Sequence, residues 1–295
     1  MKYNRIGNSD LKVSEISFGC MSLEIEKGED AISSLLRKAV DTGINFFDTA
    51  DLYDKGLNEE MIGKALGPVR DDVIIATKVG NQWNEDGSGW NWNPTKELIL
   101  TEVNESLRRL QTDHIDLYQL HGGTIEDPID DIIEAFEQLK HKGKIRAYGI
   151  SSIRPNVIRE YVQRSNIDSV MMQYSLLDRR PEEEALDLLD EHNISVITRG
   201  TLAKGMLIDK PAADYLGYSA EEVKKMQEAV KETGNPIAAS VQFVHQHPAV
   251  ASAVLGIRTE NQLSDIIAKY NSPIPEEDLH SLTRLMEPNV YKKHR

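Results

Sequence analysis

The chain has 295 residues and a formal net charge of −14 at pH 7, and a single α/β barrel commonly has this length. The negative charge argues against nucleic acid or an anionic membrane as the main partner, because both require a basic protein surface. The single cysteine, Cys20, excludes an intrachain disulfide and a cysteine cluster for zinc or iron–sulfur. Residues 1–13 lack the long apolar stretch of a signal peptide, and no apolar run is long enough to span a bilayer. We therefore expect a cytoplasmic protein.

Eight short apolar runs alternate with longer segments of helical periodicity along the chain. Because continuous apolar strands separated by helices indicate a parallel sheet that is covered on both faces, eight such units favour a closed (β/α)8 barrel over an open doubly wound sheet. No GxGxxG motif follows any run, so the dinucleotide fingerprint of the open sheet is missing. The eight predicted strands are 15–18, 44–48, 73–78, 115–121, 145–151, 167–173, 194–199 and 250–256.

The segments between the runs predict amphipathic helices. The first of them places its apolar residues on one face and ends in Gly43, and the second opens with Pro94 in a plausible first turn. The predicted helical segments are 29–43, 94–110, 128–143, 154–165, 180–193, 219–234 and 258–270. We predict a single barrel domain over residues 1–295, in which the first dozen residues form a β-hairpin that closes the bottom of the barrel.

Polar residues stand at the carboxyl ends of most of the apolar runs. In a (β/α)8 barrel all of these ends point to one face, where the loops that follow the strands build the active site. The stretch INFFDTADLYD (44–54) shows the pattern most clearly, because its apolar run ends in Asp48 and Tyr53 follows in a polar turn. We therefore expect residues far apart in the sequence to meet in one pocket. The strand-end residues are Asp48, Lys78, His121, Ser151, Gln173 and Arg199.

Three of these strand-end residues, together with Tyr53, would suit the protonation of a substrate oxygen. A tyrosine hydroxyl, with an ordinary pKa of about 10, is a poor acid near neutrality, and a nearby lysine ammonium lowers that pKa. An aspartate keeps the lysine charged, and a histidine holds the substrate oxygen by a hydrogen bond. None of these groups can supply a hydride, so the chemistry requires a nicotinamide cofactor. The four residues are Asp48, Tyr53, Lys78 and His121.

Each of the four also has a purely structural interpretation. Asp48 alone could cap the following turn, Tyr53 could be a half-buried packing residue, and Lys78 could reach solvent. His121 could bond a loop carbonyl in front of the glycine pair that follows it. The functional interpretation is favoured because four unrelated residues seldom match one ordered catalytic set.

Seven motifs, in this order along the chain, resemble those of the aldo-keto reductase family. The resemblance covers the whole length and implies a (β/α)8 barrel, a small-molecule carbonyl substrate, a monomer, and NADPH bound without a Rossmann domain. It implies that Tyr53 is the general acid/base, that Lys78 and Asp48 tune it, and that His121 orients the carbonyl. The motifs are INFFDTADLYD (44–54), ATKVG (76–80), IDLYQLHGG (115–123), IRAYGISS (145–152), MMQYS (171–175), LAKGML (202–207) and LGIRTENQL (255–263).

The resemblance also implies which residues contact the cofactor. Ser151 and Gln173 match positions that bond the nicotinamide carboxamide, with Ser152 standing where many members have asparagine. Arg199 replaces an aromatic ring that many members stack on the nicotinamide, and a guanidinium can stack there or contact the pyrophosphate. Segment 200–218 would then fold over the pyrophosphate.

Arg258, after the last strand, suits a 2′-phosphate and favours NADPH over NADH. Ile266 stands where an asparagine is common, so we expect fewer adenine contacts than usual. The predicted cofactor-binding residues are Gly19, Met21, Ser151, Ser152, Gln173, Arg199, Leu202, Lys204, Gly205, Gly256, Arg258, Gln262 and Asp265.

The stretch 80–97 after the third strand is longer than a usual connection in a barrel, and it holds all three tryptophans, Trp83, Trp90 and Trp92. A long loop at the catalytic face is typical of a lid or a binding loop. The three rings could wall an apolar substrate pocket, or they could merely cover the rim of the barrel.

Two other classes of function are alternatives. One is an NADP(H)-binding sensor or scaffold subunit with slow turnover, which Arg199 and the long segment 200–218 would fit. The other is a metal-dependent hydrolase, but the HxH pair of His245 and His247 lies in a helical-looking segment and not at a strand end, so we predict no metal site. The complete four-residue set favours an NADPH-dependent reductase that converts aldehydes or ketones to alcohols.

Overall fold

The computed structural model describes residues 1–295 and has at its centre a closed barrel of eight parallel strands. Neighbouring strands in the barrel are consecutive in the chain, and the last strand pairs with the first so that Gly256 lies beside Gly19. The predicted (β/α)8 fold is confirmed, and each predicted run overlaps one barrel strand. The strands are β1 (Ile16–Gly19), β2 (Phe46–Asp48), β3 (Ile74–Val79), β4 (Ile115–Leu120), β5 (Ile145–Ser151), β6 (Ser169–Gln173), β7 (Ser195–Arg199) and β8 (Val250–Gly256).

Helices connect the strands and pack around the barrel. The main apolar core lies between the helices and the outer faces of the strands. The helices are α1 (Glu29–Asp41), α2 (Leu57–Leu66), α3 (Lys96–Leu110), α4 (Ile129–His141), α5 (Pro155–Arg164), α6 (Ala185–Glu191), α7 (Ala220–Glu232), α8 (Pro236–Val244), α9 (Glu260–Tyr270) and α10 (Glu276–Arg284). None of them is both long and apolar enough to cross a membrane.

The helices differ from the sequence prediction at the start of α3 and in their number. Pro94 lies before α3 and not in its first turn, because Thr95 caps the helix by accepting a hydrogen bond from the backbone N–H of Leu98 at 3.3 Å. The set of predicted helices also omitted α2, α8 and α10, and of these α2 is short and contains Gly63. A Cβ atom at Gly63 would lie 2.5 Å from the backbone of Leu110, so the glycine allows α2 and α3 to approach closely.

The N-terminal hairpin, strands Tyr3–Arg5 and Lys12–Ser14, closes the bottom of the barrel as predicted. Ile6, Leu11 and Val13 are buried in a second apolar cluster with residues that line the barrel interior. Gly7 turns the chain at φ +49°, and a Cβ atom there would lie 2.3 Å from the carbonyl oxygen of Asp168. The hairpin therefore seats tightly against the amino ends of the strands.

The long segment after β3 is itself a hairpin and not an irregular loop. Its strands, Asn81–Trp83 and Trp90–Trp92, pair antiparallel and form a small sheet separate from the barrel. We call residues 81–92 the tryptophan hairpin. It stands at the carboxyl end of β3, on the same face of the barrel as the predicted site.

Candidate active site

The four polar residues predicted to act together meet at the carboxyl face of the barrel. Asp48 ends β2, Lys78 lies near the end of β3, and His121 directly follows β4. Tyr53 lies in the turn after β2, and its ring meets that of His121 edge-on, with 5.9 Å between the ring centroids. Three neighbouring strands and one turn thus place all four side chains around one point.

Lys78 and Asp48 form a buried ion pair at the centre of this group. The Lys78 ammonium donates hydrogen bonds to Asp48 Oδ1 at 2.7 Å and to the carbonyl oxygen of Thr49 at 2.6 Å, and the lysine side chain is 1 % exposed. Burial alone would lower the pKa of Lys78, but the Asp48 carboxylate and Tyr53 raise it above its ordinary value. Lys78 therefore remains a cation inside the protein.

The Tyr53 hydroxyl lies in the field of this cation, since Lys78 Nζ is 5.4 Å from the centroid of the tyrosine ring. Burial raises the pKa of Tyr53, and the lysine charge lowers it without cancelling the effect of burial. The predicted influence of Lys78 thus has the expected sign, but the expectation of a lowered tyrosine pKa was wrong because burial outweighs it. Tyr53 keeps its proton at neutral pH.

His121 is neutral over the physiological pH range. Burial, together with the positive charges of Lys78 and Arg199, lowers the pKa of His121 to about 3. Its Nδ1 atom is buried and makes no hydrogen bond within the protein. A neutral imidazole has one N–H donor and one acceptor nitrogen, so His121 can donate one hydrogen bond without carrying charge.

Asn58, at the start of α2, fixes the loop that holds the ion pair, and sequence analysis missed it. The side chain is fully buried; its Oδ1 accepts a hydrogen bond from the Thr49 hydroxyl at 2.7 Å, and its Nδ2 donates to the carbonyl oxygen of Cys20 at 3.0 Å. Since the carbonyl of Thr49 is an acceptor for Lys78, Asn58 connects the ends of β1 and β2 to the ion pair.

The next residue, Glu59, fixes the backbone of β3 in a similar way. Its carboxylate accepts hydrogen bonds from the Thr77 hydroxyl and from Arg109 of α3, both at 2.6 Å. Thr77 directly precedes Lys78, so Glu59 fixes the backbone that carries the lysine. The polar pair Asn58–Glu59 directly after the Tyr53 turn was the available sequence signal, but only the strand ends were considered.

The residues predicted to bind the nicotinamide end lie on the three strands next in order around the barrel. Ser151, Gln173 and Arg199 end β5, β6 and β7, and all three side chains are half-buried at the carboxyl face. Gln173 and Arg199 are direct partners in the register of the two strands. Ser152 differs, because it is buried and its hydroxyl accepts a hydrogen bond from the backbone N–H of Arg154 at 3.2 Å.

The two predicted glycines have a packing role where β1 and β8 meet. A Cβ atom at Gly19 would lie 2.9 Å from the side chain of Val254, and one at Gly256 would lie 2.6 Å from the Ser22 hydroxyl. Both positions therefore need a glycine to let neighbouring segments approach, whatever else binds there.

Arg258 lies on the surface at the entrance to α9 and forms no ion pair. Its backbone N–H donates to Oε1 of Gln262 at 2.9 Å, so Gln262 is partly engaged in fixing this turn. Asp265, one turn further along α9, pairs with Lys269 at 2.6 Å. Of the predicted adenine-side residues, Arg258 is the one whose charge is available to a ligand.

Segment 200–218 contains no α-helix or β-strand, but hydrogen bonds from the rest of the protein hold its backbone in place. Its short helical turn, Ala203–Gly205, exposes Lys204 with a left-handed φ of +57°, whereas Leu202 and Gly205 are half-buried. Gln227 of α7 donates hydrogen bonds to two carbonyl oxygens of the segment, at 2.6 and 2.8 Å. The segment thus presents a lysine at the carboxyl face from a backbone that is already held in place.

A cavity of about 600 Å³ opens beside Tyr53. Two of the predicted tryptophans line it, and Met21, which is 66 % exposed, forms part of its rim. The wall is mainly apolar, with one acidic and one basic residue at the edge. The lining residues are Met21, Leu52, Tyr53, Asp54, Lys55, Trp83 and Trp90.

Trp92 does not line this cavity. Its indole N–H donates to the carboxylate of Asp127 at 3.0 Å, and the ring covers Gly80 and Gly122 at the ends of β3 and β4. Trp92 therefore anchors the base of the tryptophan hairpin, so only two of the three predicted tryptophans lie where a substrate could touch them.

The arrangement fits an elongated anionic nucleotide across the carboxyl face. Two arginines without ion pairs stand at the ends of neighbouring strands, Arg199 at the end of β7 and Arg258 shortly after β8. Gln173 is the register partner of Arg199, and Ser151 ends β5, one strand further around the barrel. Cations without carboxylate partners favour phosphate groups, and an amide and a hydroxyl can bond a carboxamide. A nicotinamide dinucleotide has both kinds of group.

Comparison with known proteins identifies relatives over the full length of the chain. The family described as "Aldo/keto reductase family" matches residues 15–287. The Bacillus subtilis (strain 168) protein named "Uncharacterized oxidoreductase YqkF" is 49% identical, with 100% of both chains covered. The "NADH-specific methylglyoxal reductase" of Escherichia coli (strain K12) is 28% identical, with 97% of this chain and 99% of that protein covered.

A solved structure shares the fold closely. The holo form of aldo-keto reductase AKR11C1 from Bacillus halodurans superposes with a TM-score of 0.95 at 47% identity, covering 100% of this chain and 99% of that one. Its apo form gives a TM-score of 0.88 at 45% identity, with the same coverage.

Removal of one partner of the buried ion pair should destabilise the protein strongly. We expect Lys78→Met to lower the free energy of unfolding by about 3–5 kcal/mol, because it leaves Asp48 charged and unpaired in the interior. Lys78→Met combined with Asp48→Asn should cost less than the sum of the two single changes. Urea unfolding of the four proteins measures this coupling, and strictly additive losses would contradict it. Lys64→Met, which breaks the exposed pair with Glu29, is the control and should change little.

His121 should make the stability of the protein depend on pH. Its pKa is about 3 in the folded protein and about 6.5 in an unfolded chain, so between these values only the unfolded chain binds the proton. The contribution of His121 is therefore complete above about pH 6.5 and is lost as the pH falls towards 3. His121→Gln should lose less stability than the wild type between pH 7 and pH 4 in urea unfolding. Parallel pH profiles would show that His121 is not held neutral.

Proposed function

Because this chain belongs to the aldo/keto reductase family of oxidoreductases, we propose that it reduces aldehyde or ketone carbonyls to alcohols with NADPH. The observation that carries the proposal is the buried Lys78–Asp48 pair beside Tyr53, whose own side chain lines a cavity with mainly apolar and aromatic lining residues. An ion pair of this kind, placed next to a tyrosine hydroxyl, supports proton transfer to an oxygen on which negative charge develops.

Tyr53 is the proposed proton donor. A bound nicotinamide would supply the hydride to the carbonyl carbon. The Tyr53 hydroxyl then protonates the carbonyl oxygen, and the Lys78 ammonium stabilises the tyrosinate that remains. Asp48 keeps Lys78 charged. The two hydrogen bonds that the Lys78 ammonium donates, to Asp48 and to the Thr49 carbonyl, fix its direction.

The charge states of Tyr53 and His121 favour the reductive direction near neutral pH. The raised pKa of Tyr53 keeps the acid form populated, which is the form that reduction requires. His121, neutral at the same pH, can donate its N–H to the carbonyl oxygen and orient it without competing as an acid. The reverse reaction needs the tyrosinate and should therefore be favoured by alkaline pH.

Arg258 supports NADPH as the preferred cofactor. A surface guanidinium without an ion pair, held at the entrance to α9, suits the dianionic 2′-phosphate that only NADPH carries. Arg199 and Lys204 supply further positive charge for the pyrophosphate. The Escherichia coli relative is named NADH-specific, so the two nucleotides have to be compared directly in this protein.

Tyr53→Phe should abolish most of the reduction without weakening cofactor binding. The ring is retained and only the transferable proton is lost, so we expect the turnover number to fall about 10²–10⁴-fold. The measurement is NADPH consumption with aromatic and aliphatic aldehydes, and NADPH binding is followed by nicotinamide fluorescence. An unchanged turnover number in Tyr53→Phe would refute the mechanism, and a wild-type protein that binds neither nucleotide would refute the proposed function.

Arg258→Ala should weaken NADPH binding selectively. Loss of a charge-assisted contact with the 2′-phosphate corresponds to about 1.5–3 kcal/mol, or roughly a tenfold to hundredfold rise in Kd. The Kd of NADH should change little, because NADH has no 2′-phosphate. Arg108→Ala, which removes an exposed arginine paired with Glu105, is the matched control. Equal losses for both nucleotides would show that Arg258 does not contact the 2′-phosphate.

A further inference from the structure

The tryptophan hairpin is anchored to the barrel at its base. There Trp92 bonds Asp127, and the backbone N–H of Asn93 donates to the carbonyl oxygen of Gly80 at 2.8 Å. Trp83 and Trp90 pair directly across the two strands, on the side of the cavity beside Tyr53. The position of this wall therefore depends on how the rest of the hairpin is held.

The tip of the hairpin, residues 84–89, is tied mostly to itself. Within the tip, the backbone N–H of Gly87 donates to the carbonyl oxygen of Asn84, and the backbone N–H of Asn84 donates to the carbonyl oxygen of Gly89, both at 2.9 Å. The tip makes one hydrogen bond to another part of the protein, from the Lys55 ammonium to the carbonyl oxygen of Gly87 at 3.3 Å. Without Lys55, the tip would be connected to the protein only through the two strands below it.

Lys55 also contacts the wall of the cavity directly. Its Nζ atom lies 5.0 Å from the centroid of the Trp83 ring, within the range of a cation–π interaction. Lys55 forms no ion pair, and its ammonium contacts the Gly87 carbonyl and the Trp83 ring, while the charge of the nearby Asp86 carboxylate in the tip also attracts it. Lys55 thus connects the turn Tyr53–Gly56, which we call the catalytic turn, to both the tip of the hairpin and the Trp83 ring in the wall of the cavity.

The backbone of the catalytic turn presents Lys55 to the hairpin. Asp54 and Lys55 both have left-handed φ values, +48° and +55°, which non-glycine residues seldom adopt. Gly56 continues at φ +86°, and the side chain of Arg109 lies so close that a Cβ atom there would be 2.7 Å away. Arg109 is in turn held by Glu59. This turn, which begins at Tyr53, therefore cannot relax freely, and Lys55 stays directed at the hairpin.

We propose that Lys55 is a specificity-determining residue, which holds Trp83 over the cavity beside Tyr53 and so selects carbonyl compounds with a flat apolar body. This inference rests on the proposed reduction of carbonyls at that cavity. Trp83 and Trp90 on one side, with Leu52 and Met21 near the rim, leave a mainly apolar space that suits an aromatic ring. A short aliphatic aldehyde is too small to use this wall and gains little from it.

The test compares Lys55→Met with the wild type on benzaldehyde and propionaldehyde. Methionine keeps the unbranched side chain but removes the charge and the N–H donors. We expect the KM of benzaldehyde to rise about three- to fivefold, as the loss of a cation–π contact from an exposed lysine implies. The KM of propionaldehyde and both kcat values should change less than about twofold. Lys55→Arg should retain the wild-type preference for benzaldehyde over propionaldehyde, because it keeps the cation. Lys64→Met is the control for loss of an exposed lysine.

Hydrogen exchange of residues 81–92 gives a readout that does not depend on turnover. The amides of the hairpin should exchange faster in Lys55→Met, with unchanged exchange in the barrel strands and an unchanged Tm. The effects of Lys55→Met and Trp83→Leu on the KM of benzaldehyde should not add, because both remove the same wall.

Unchanged exchange in the hairpin, or equal changes in KM for the two aldehydes, would overturn the role of Lys55. If the wild type reduced neither aldehyde with NADPH, the proposed function and the substrate preference would fail. In that case the exchange measurement would still decide whether Lys55 holds the hairpin.

Discussion

The buried ion pair of Lys78 and Asp48 is the interaction on which the rest of the site depends. Transfer of an ammonium group into the protein interior costs several kcal/mol unless a charge and hydrogen-bond acceptors meet it there. The carboxyl end of β2 supplies both, through Asp48 and the Thr49 carbonyl. Asn58 then fixes the loop after β2, and Glu59 fixes the backbone of β3 directly before Lys78. The geometry around Tyr53 is thus set by polar contacts made at the start of α2, a helix that contributes no group to the cavity.

The barrel itself and the meeting of the four polar residues could be predicted, because the physical rule is simple. Apolar runs of strand length mark the barrel, and a parallel barrel brings all carboxyl strand ends to one face. The supporting residues could not be predicted in this way. Asn58 and Glu59 have partners directly after β1 and β2 and within β3 and α3, and no sequence spacing reveals which of these elements will touch. The pKa of Tyr53 was misjudged for the same reason, since burial depends on the whole surrounding structure.

The three tryptophans show how strand register separates residues of one type. Trp90 and Trp92 are two positions apart, which in a strand places both on one face. Yet Trp90 pairs with Trp83 at the cavity, whereas Trp92 lies at the base of the hairpin beside Asp127. The sequence showed an unusually long connection rich in aromatic residues. That Trp83 and Trp90 line the cavity while Trp92 anchors the hairpin depends on the position of the hairpin turn, which the sequence pattern did not reveal.

The N-terminal hairpin and the site occupy opposite ends of the barrel. Tyr3 donates its hydroxyl to the carbonyl oxygen of Gly43, just before β2 begins, and Ile6 and Leu11 fill the barrel from below. This separation matters for immobilised biocatalysts. A protein attached to a solid support through a linker at Met1 would stand with its open face towards the solution, so that nucleotide and carbonyl compound could diffuse in without obstruction by the support.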